Sequence, residues 1–564
     1  MHLDEPQVRS SEVASPPGTA RKHPAHGAGR PSGLHDGGVF ALALRAGVVV
    51  VLGAAIWLRF FTKSPLWLDE ALTVNIASRP VHELPGLLRN DGAPPLFYLL
   101  LHYWIAAFGS GDVATRALSG LIGVVNLPLA WVTGYRVGSR CWVLRDATVE
   151  ERAAGFERGR VVAWSVTLLL ASSPFAVYYD TEARMYGLVL LLGTLGVLAW
   201  TFVLARPSWR GSLALAVVTS GLLYTHYWSL YLCFVVGVGC IWLAWRGPPR
   251  RAARYGLAGL VLGAASFAPW VPTFLFQLRH TGTPWATPAD YTALVFAFTQ
   301  FAGGNSDAGR GLALIFFFLA VLALFGLAAD RVHVMLDLRT RPGIRLVTAA
   351  VVATLVVAIV AGKLSGSAFA DRYTSVIAFP ALLVFAYGLT TIVEPKVRAG
   401  FVAVAVALGL IASIPNAYII RTQGGQVASA IAAGARRGDV VAYCPDQLGP
   451  SVSRVLQSRS TGLDQLTFPR ADPPEIVNWV DYKAVARAAS PGRFARLVEE
   501  RVGAGGTIWY VWAPSYQGFG NDCQDIALDL AAHATQQVVV RERASDTPFE
   551  IFEGMYLYRF TPRR

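Results

Sequence analysis

The chain of 564 residues is 54% hydrophobic and only 15% charged, with a mean hydropathy of +0.44, whereas a soluble domain carries about 25% charge. This excludes a soluble globule with one anchor and describes a polytopic membrane protein. The formal charge of +13 falls in short loops between apolar runs, the pattern of cytoplasmic loop bias rather than of nucleic-acid binding.

Residues 1–37 are rich in Pro, Gly, Ser, Ala and His and carry Arg9, Arg21, Lys22 and Arg30, which predicts a disordered cytoplasmic tail. The apolar run that follows starts too late and is too long for a signal peptide. Eleven spans are predicted, at 39–61, 114–136, 161–177, 185–204, 212–227, 228–245, 255–276, 311–329, 346–362, 374–393 and 400–419. Pro94–Phe108 and Tyr291–Ala302 are shorter than the ~20 residues a spanning helix needs. Both are expected as juxtamembrane helices on the outer face.

Charge parity supports that choice. With the N-terminus inside, the inner loops hold eighteen Lys and Arg, from Arg136 to Arg398, including Arg145. The outer segments before residue 420 hold nine: Lys63, Arg79, Arg89, Arg116, Arg184, Arg279, Arg310, Lys363 and Arg372. A crossing at 94–108 would turn every later Arg-rich loop outward, against the positive-inside bias. Asp69-Glu70, Asp180 to Arg184, and Asp371-Arg372-Tyr373 then share the outer face.

From residue 421 the pattern changes. Strands are expected at 438–444, 507–512, 537–541 and 555–560, and helices at 450–457 and 525–533. Alternation of this kind predicts a small α/β domain over 421–564, outside the cytoplasm and with no phosphate-binding Gly-rich motif. Cys444 and Cys523 could form a disulfide there. Cys233 and Cys240 read as packing residues.

The acid pair Asp69-Glu70, after Leu66-Trp67-Leu68, suits general-base chemistry on a lipid-borne substrate at the membrane surface. Asp69 would take the proton from an acceptor hydroxyl as it attacks an anomeric carbon. A helix N-terminal acid pair facing water is the plainer reading. Asp180 and Arg184 could be an i,i+4 ion pair, or Asp180 and Glu182 could meet sugar hydroxyls or a metal while Arg184 holds a phosphate. Arg372, with Lys363 near it, offers cations to a leaving phosphate or to ordinary anionic lipid. His226, like His102 and Tyr103, fits an aromatic belt at the interface, or a substrate hydrogen bond.

Leu66 to Ala71 resembles the first-loop acidic motif of the GT-C glycosyltransferases, especially the protein-mannosyltransferase and lipid A aminoarabinose-transferase branch. Asp91-Gly92-Ala93-Pro94-Pro95-Leu96-Phe97-Tyr98 resembles the juxtamembrane helix of the same loop. Ser173 to Tyr179, with Glu182-Ala183-Arg184-Met185-Tyr186, resembles the second-loop motif. Arg372-Tyr373 with Phe379-Pro380 resembles the late Arg-Tyr motif. The resemblance covers residues 39 to about 419.

It implies a GT-C fold over 38–420 and an inverting transfer from a polyprenyl-phosphate sugar, with mannose or arabinofuranose foremost. The acceptor would be a glycan, glycolipid or protein hydroxyl outside the plasma membrane. Asp69 is then the base, with Glu70 orienting a neighbour or the acceptor. Arg184, Arg372 and Lys363 bind the donor phosphate, and Asp180, Glu182, His226 and Tyr373 serve sugar, acceptor or metal. Members of that family work with and without a divalent metal, so metal use stays open. A lipid-linked substrate transporter or a non-catalytic envelope assembly protein is the competing class. The former should carry ionisable residues near the bilayer midplane, where these spans show almost none.

Overall fold

The computed structural model describes residues 33–140, 148–247, 249–282, 291–304, 306–365, 369–459, 462–503, 505–514, 516, 518–543 and 552–563. Most of the expected N-terminal tail, together with Cys141 and Arg145, lies outside them. The described residues divide into two units at Val49–Val50. The first contributes the opening turns of the helix Gly33–Leu58.

Among the described residues eight helices are long and apolar enough to cross a membrane, and nine if the bent pair Val149–Ser172 and Pro174–Asp180 is one span. These nine coincide with nine of the eleven expected spans. The other two are helical but shorter: the apolar part of the first runs Leu42–Leu58 and the fifth runs Trp209–Thr225. Each is about 25 Å long at 1.5 Å per residue. The bent pair turns by 56° for a local reason. Pro174 opens the second helix, and the residue before a proline is pushed out of the helical region; Ser173 takes ψ 118° and caps the new helix through Ala176 N–H.

The segment Asp371–Thr391 is the central span, with 94% of its apolar window buried. Its apolar residues from Val376 to Leu389 form one cluster with Val166, Leu169, Phe175, Phe301, Phe316 and Leu355 from five surrounding helices. Leu96–Phe108 and Ala293–Phe301 are short apolar helices, as expected for juxtamembrane elements. The expected span to residue 329 instead ends at Phe325. A hairpin of β1 (Gly326–Ala328) and β2 (Val334–Leu336) follows it.

The C-terminal region carries a five-stranded sheet of β3 (Val440–Cys444), β4 (Asp464–Thr467), β5 (Ile508–Trp512), β6 (Ala534–Val540) and β7 (Tyr556–Pro562), in the order β4-β3-β5-β7-β6. β3 pairs parallel with β4 and β5, and β7 is antiparallel to β5 and β6. β3 and β5 are buried along their whole length, as parallel strands covered on both faces must be. Val440, Ala442, Ile508 and Tyr510 face Phe494, Val498, Ile526 and Leu530. Val441, Tyr443, Trp509 and Val511 face Val427, Ile431, Val452 and Leu456.

The four expected strands and two expected helices are present. The polar edge strand β4 and the helices Gly424–Gly434, Tyr482–Ala488 and Pro491–Val502 add to them. Cys444, at the end of β3, is disulfide-bonded to Cys523 in the first turn of Asp522–His533. The sheet region is tied to the segment after the first helix: Asn75 Nδ2 donates to Glu475 O (2.8 Å) and Trp479 N to Asn90 O (3.1 Å).

Candidate active site

Asp69 and Glu70 open the helix Leu68–Ala77. Consecutive helical side chains point about 100° apart, so the pair divides. Glu70 turns inward and is fully buried. Arg116 grips both its oxygens, Nε to Oε1 at 2.7 Å and Nη2 to Oε2 at 2.5 Å, and the Ala183 N–H donates to Oε1 at 3.0 Å. Burial alone would raise the Glu70 carboxyl; Arg116, Arg421 and the Ala183 N–H outweigh it and hold the group below its ordinary range. These contacts fix Glu70, and with it the helix on which Asp69 stands.

Asp69 turns the other way and keeps 15% of its side chain exposed. Its Oδ2 lies 3.7 Å from Arg184 Nη2 and 3.5 Å from Arg372 Nη1. These are ion-pair distances rather than tight hydrogen bonds. Arg184 is oriented by Thr73 Oγ1 (2.7 Å) on the same helix. Two guanidinium groups from distant loops thus flank one open carboxylate, as the sequence reading required of residues 69, 184 and 372.

The second loop corrects the expectation for Asp180. Its helix ends at Asp180 and the next begins at Tyr186, so no i,i+4 pair with Arg184 exists. Asp180 instead accepts from Arg59 Nε at 2.8 Å, and both side chains are buried. A Cβ at either Gly123 or Gly187 would collide with that carboxylate, which explains glycine at both positions. Asp180 is enclosed away from the Asp69 carboxylate, with Oδ2 on Arg59 and Oδ1 buried without a hydrogen-bond partner among the described residues.

Glu182 is also buried. It accepts from Trp67 Nε1 (3.2 Å) and lies 3.6 Å from Arg421 Nη1. Burial pushes it up to about 7, against the pull of Arg421. Arg421 itself is enclosed, donating to Asn416 Oδ1 (2.7 Å) and Thr181 Oγ1 (2.9 Å) with its guanidinium 4.4 Å from the Tyr178 ring. Glu182 holds the floor of the site through Trp67.

His226 packs between Tyr186 and Tyr373, with ring centroids 5.8 and 5.2 Å away. Its Nδ1 accepts from the Trp228 N–H at 3.2 Å. Burial, then Arg184 and Arg372, push its pKa down to about 3, so the ring is neutral and its proton sits on Nε2 as a donor. Tyr373 is half-buried beside Arg372, whose guanidinium is 5.8 Å from its ring. Lys363 is exposed and stands over the Tyr291 ring at 3.3 Å, where it makes no ion pair with Asp69. His102 Nδ1 is bonded to Ala77 O (2.8 Å), which ties the helix Leu96–Phe108 to the end of Leu68–Ala77.

Four residues escaped the sequence reading. Arg59, Arg116 and Arg421 carried no motif, because their role is defined only by acids distant in the chain. Asp91 lay inside a quoted motif without an assigned part. It ends the helix Leu84–Asp91, accepts from Tyr98 Oη (2.7 Å), and feels the charges of Arg184 and Asp69. Among the described residues no three His, Cys, Asp or Glu side chains gather closely enough to hold a metal ion.

No family model and no curated protein matches the sequence. Among solved structures the chain is similar to ArnT from Cupriavidus metallidurans in the apo state, at 14% identity and a TM-score of 0.53, covering 93% of this chain and 98% of that one. The same enzyme bound to undecaprenyl phosphate gives a TM-score of 0.48 at 14% identity, over 92% of this chain and 98% of that chain. The apo likeness shows the fold: a polytopic helical membrane architecture like that of ArnT, with a small C-terminal domain containing a β-sheet.

Proposed function

We propose that the chain is a multi-pass membrane glycosyltransferase that moves a sugar from a polyprenyl-phosphate carrier to a hydroxyl of a cell-envelope acceptor. One observation carries the reading. Of the four acids Asp69, Glu70, Asp180 and Glu182, Asp69 alone is partly exposed, and it lies between Arg184 and Arg372 at ion-pair distance. The other three are buried on Arg116, Arg59 and Arg421. The shared GT-C fold is consistent with this reading.

Asp69 removes the acceptor proton as the acceptor oxygen attacks the anomeric carbon from the face opposite the phosphate. The new C–O bond forms as the sugar–phosphate bond breaks, and the configuration inverts. Arg184 and Arg372 take the departing phosphate charge through forked donors, the strongest match to phosphate oxygens. As the phosphate engages them they release Asp69 to the acceptor hydroxyl. The neutral Nε2–H of His226 and the Tyr373 ring contribute a hydrogen-bonding and a stacking contact to the sugar. Residues 38–420 would form the catalytic body and 421–564 the accessory domain.

Two facts support an extracytoplasmic site. The Arg-rich loops lie on the opposite side from Asp69 in the expected topology. The Cys444–Cys523 disulfide suits an oxidising compartment. The test is to incubate membranes bearing the protein with labelled polyprenyl-phosphate mannose and, separately, polyprenyl-phosphate arabinose. Transfer of one label that is lost in Asp69→Asn supports the reading; undiminished transfer by the variant refutes it.

A further inference from the structure

A cavity of about 590 Å³ opens on the C-terminal domain, lined by Arg436, Asp439, Thr507, Thr535, Arg559 and Thr561 among others. It sits at the N-terminal ends of β3 and β5. The opposite ends of those strands lead to Asp446 and to Tyr516, whose hydroxyl feels the charges of Glu553 and Asp69. Roughly 13 Å of strand therefore separates the cavity from the catalytic side of the sheet.

The cavity's charge is decided by hydrogen bonding. Asp439, its one acid, is buried and fully engaged by its own fold. Its Oδ2 accepts from Arg436 N (2.9 Å) and Trp509 Nε1 (3.2 Å), and its Oδ1 from Thr507 N (2.9 Å). It neutralises donors of the floor and forms no ion pair with the two arginines. Arg559 lies over Trp509 at 5.3 Å from the ring, and its Nε is buried without a hydrogen-bond partner among the described residues. Arg436 is exposed at the rim. Two guanidinium groups and three threonine side chains thus face a space of the size that holds a small ligand.

We propose that this cavity is a second binding site, for a saccharide unit bearing an anionic group, phosphate or carboxylate. Arg436 and Arg559 hold the anion, and the threonine hydroxyls meet the sugar hydroxyls. Binding itself is independent of the transfer reaction. That the unit belongs to the acceptor, held away from the reaction centre, rests on the function proposed above.

The test is calorimetric titration of the purified full chain in detergent with glucose 6-phosphate, glucuronate, glucose and inorganic phosphate. One or both anionic sugars are expected to bind at one site, at least about tenfold tighter than glucose or phosphate. Arg436→Glu, at an exposed position, and Arg559→Ala should each weaken that binding by about tenfold or more, the weight of a charge-assisted contact. Asp69→Asn should leave it unchanged. Which anionic sugar binds tells phosphate from carboxylate. Equal binding of glucose, no effect of Arg436→Glu, or inorganic phosphate binding as tightly as the sugar phosphate each overturns the proposal. Because no turnover is read, an inactive transferase leaves this result standing, and a failed titration leaves the transferase reading standing.

Discussion

Asp69 and Glu70 are adjacent in the chain, yet their removal should have opposite consequences. In Glu70→Ala, Arg116 loses both carboxylate bonds, at 2.7 and 2.5 Å, in a site where Glu70 is fully buried and Arg116 nearly so. Arg421, 4.0 Å from the same carboxylate, loses part of its compensation. Removing one partner of a buried ion pair costs about 3–5 kcal/mol. Asp69→Asn keeps shape and volume, and gives up only ion pairs of 3.5 and 3.7 Å at a partly exposed carboxylate, a smaller loss than that of the tightly bonded, fully buried Glu70. Its cost should appear in the reaction, where a general base contributes about 10²–10⁴-fold, or roughly 3–5 kcal/mol of barrier. The assay pairs unfolding in detergent, followed by tryptophan fluorescence, with single-turnover transfer of the labelled sugar. Asp69→Asn should unfold with the parent and transfer hundreds of times more slowly, while Glu70→Ala should unfold far earlier. The reasoning fails if Glu70→Ala is as stable as the parent, or if the two variants lose stability equally.

Arg184→Lys and Arg372→Lys keep the charge but lose the fork, so kcat/KM for the donor should fall roughly ten- to hundredfold in donor-titration kinetics. Glu553 is buried beside Thr422, and burial lifts it from its ordinary 4.5 to about 8. The folded chain then holds a proton that the unfolded chain releases, so stability should fall as pH rises from about 4.5 to 8. Glu553→Gln should flatten that slope in melts recorded from pH 5 to 8, and an unchanged slope would contradict the assignment. The Cys444–Cys523 bond closes a separation of 79 residues, for which loop closure gives about 4.5 kcal/mol. Reductant should expose the C-terminal domain to limited proteolysis without touching the membrane helices.

Local chemistry in the sequence determined where the chain crosses the bilayer and where it does not. Hydropathy over some twenty residues acts within one segment, so the spans, the two short apolar helices and the main strands could be read directly. The grouping of residues 69, 184 and 372 was legible for a related reason, since the bilayer confines every outer loop to one plane. Tertiary structure decided which acid stays open. Asp180 meets Arg59 across 121 residues and Thr181 meets Arg421 across 240, and no local pattern encodes such partners. A buried carboxylate must find a cation or lose its charge, and only the packed fold shows that Glu70, Asp180 and Glu182 have theirs while Asp69 still faces the open site.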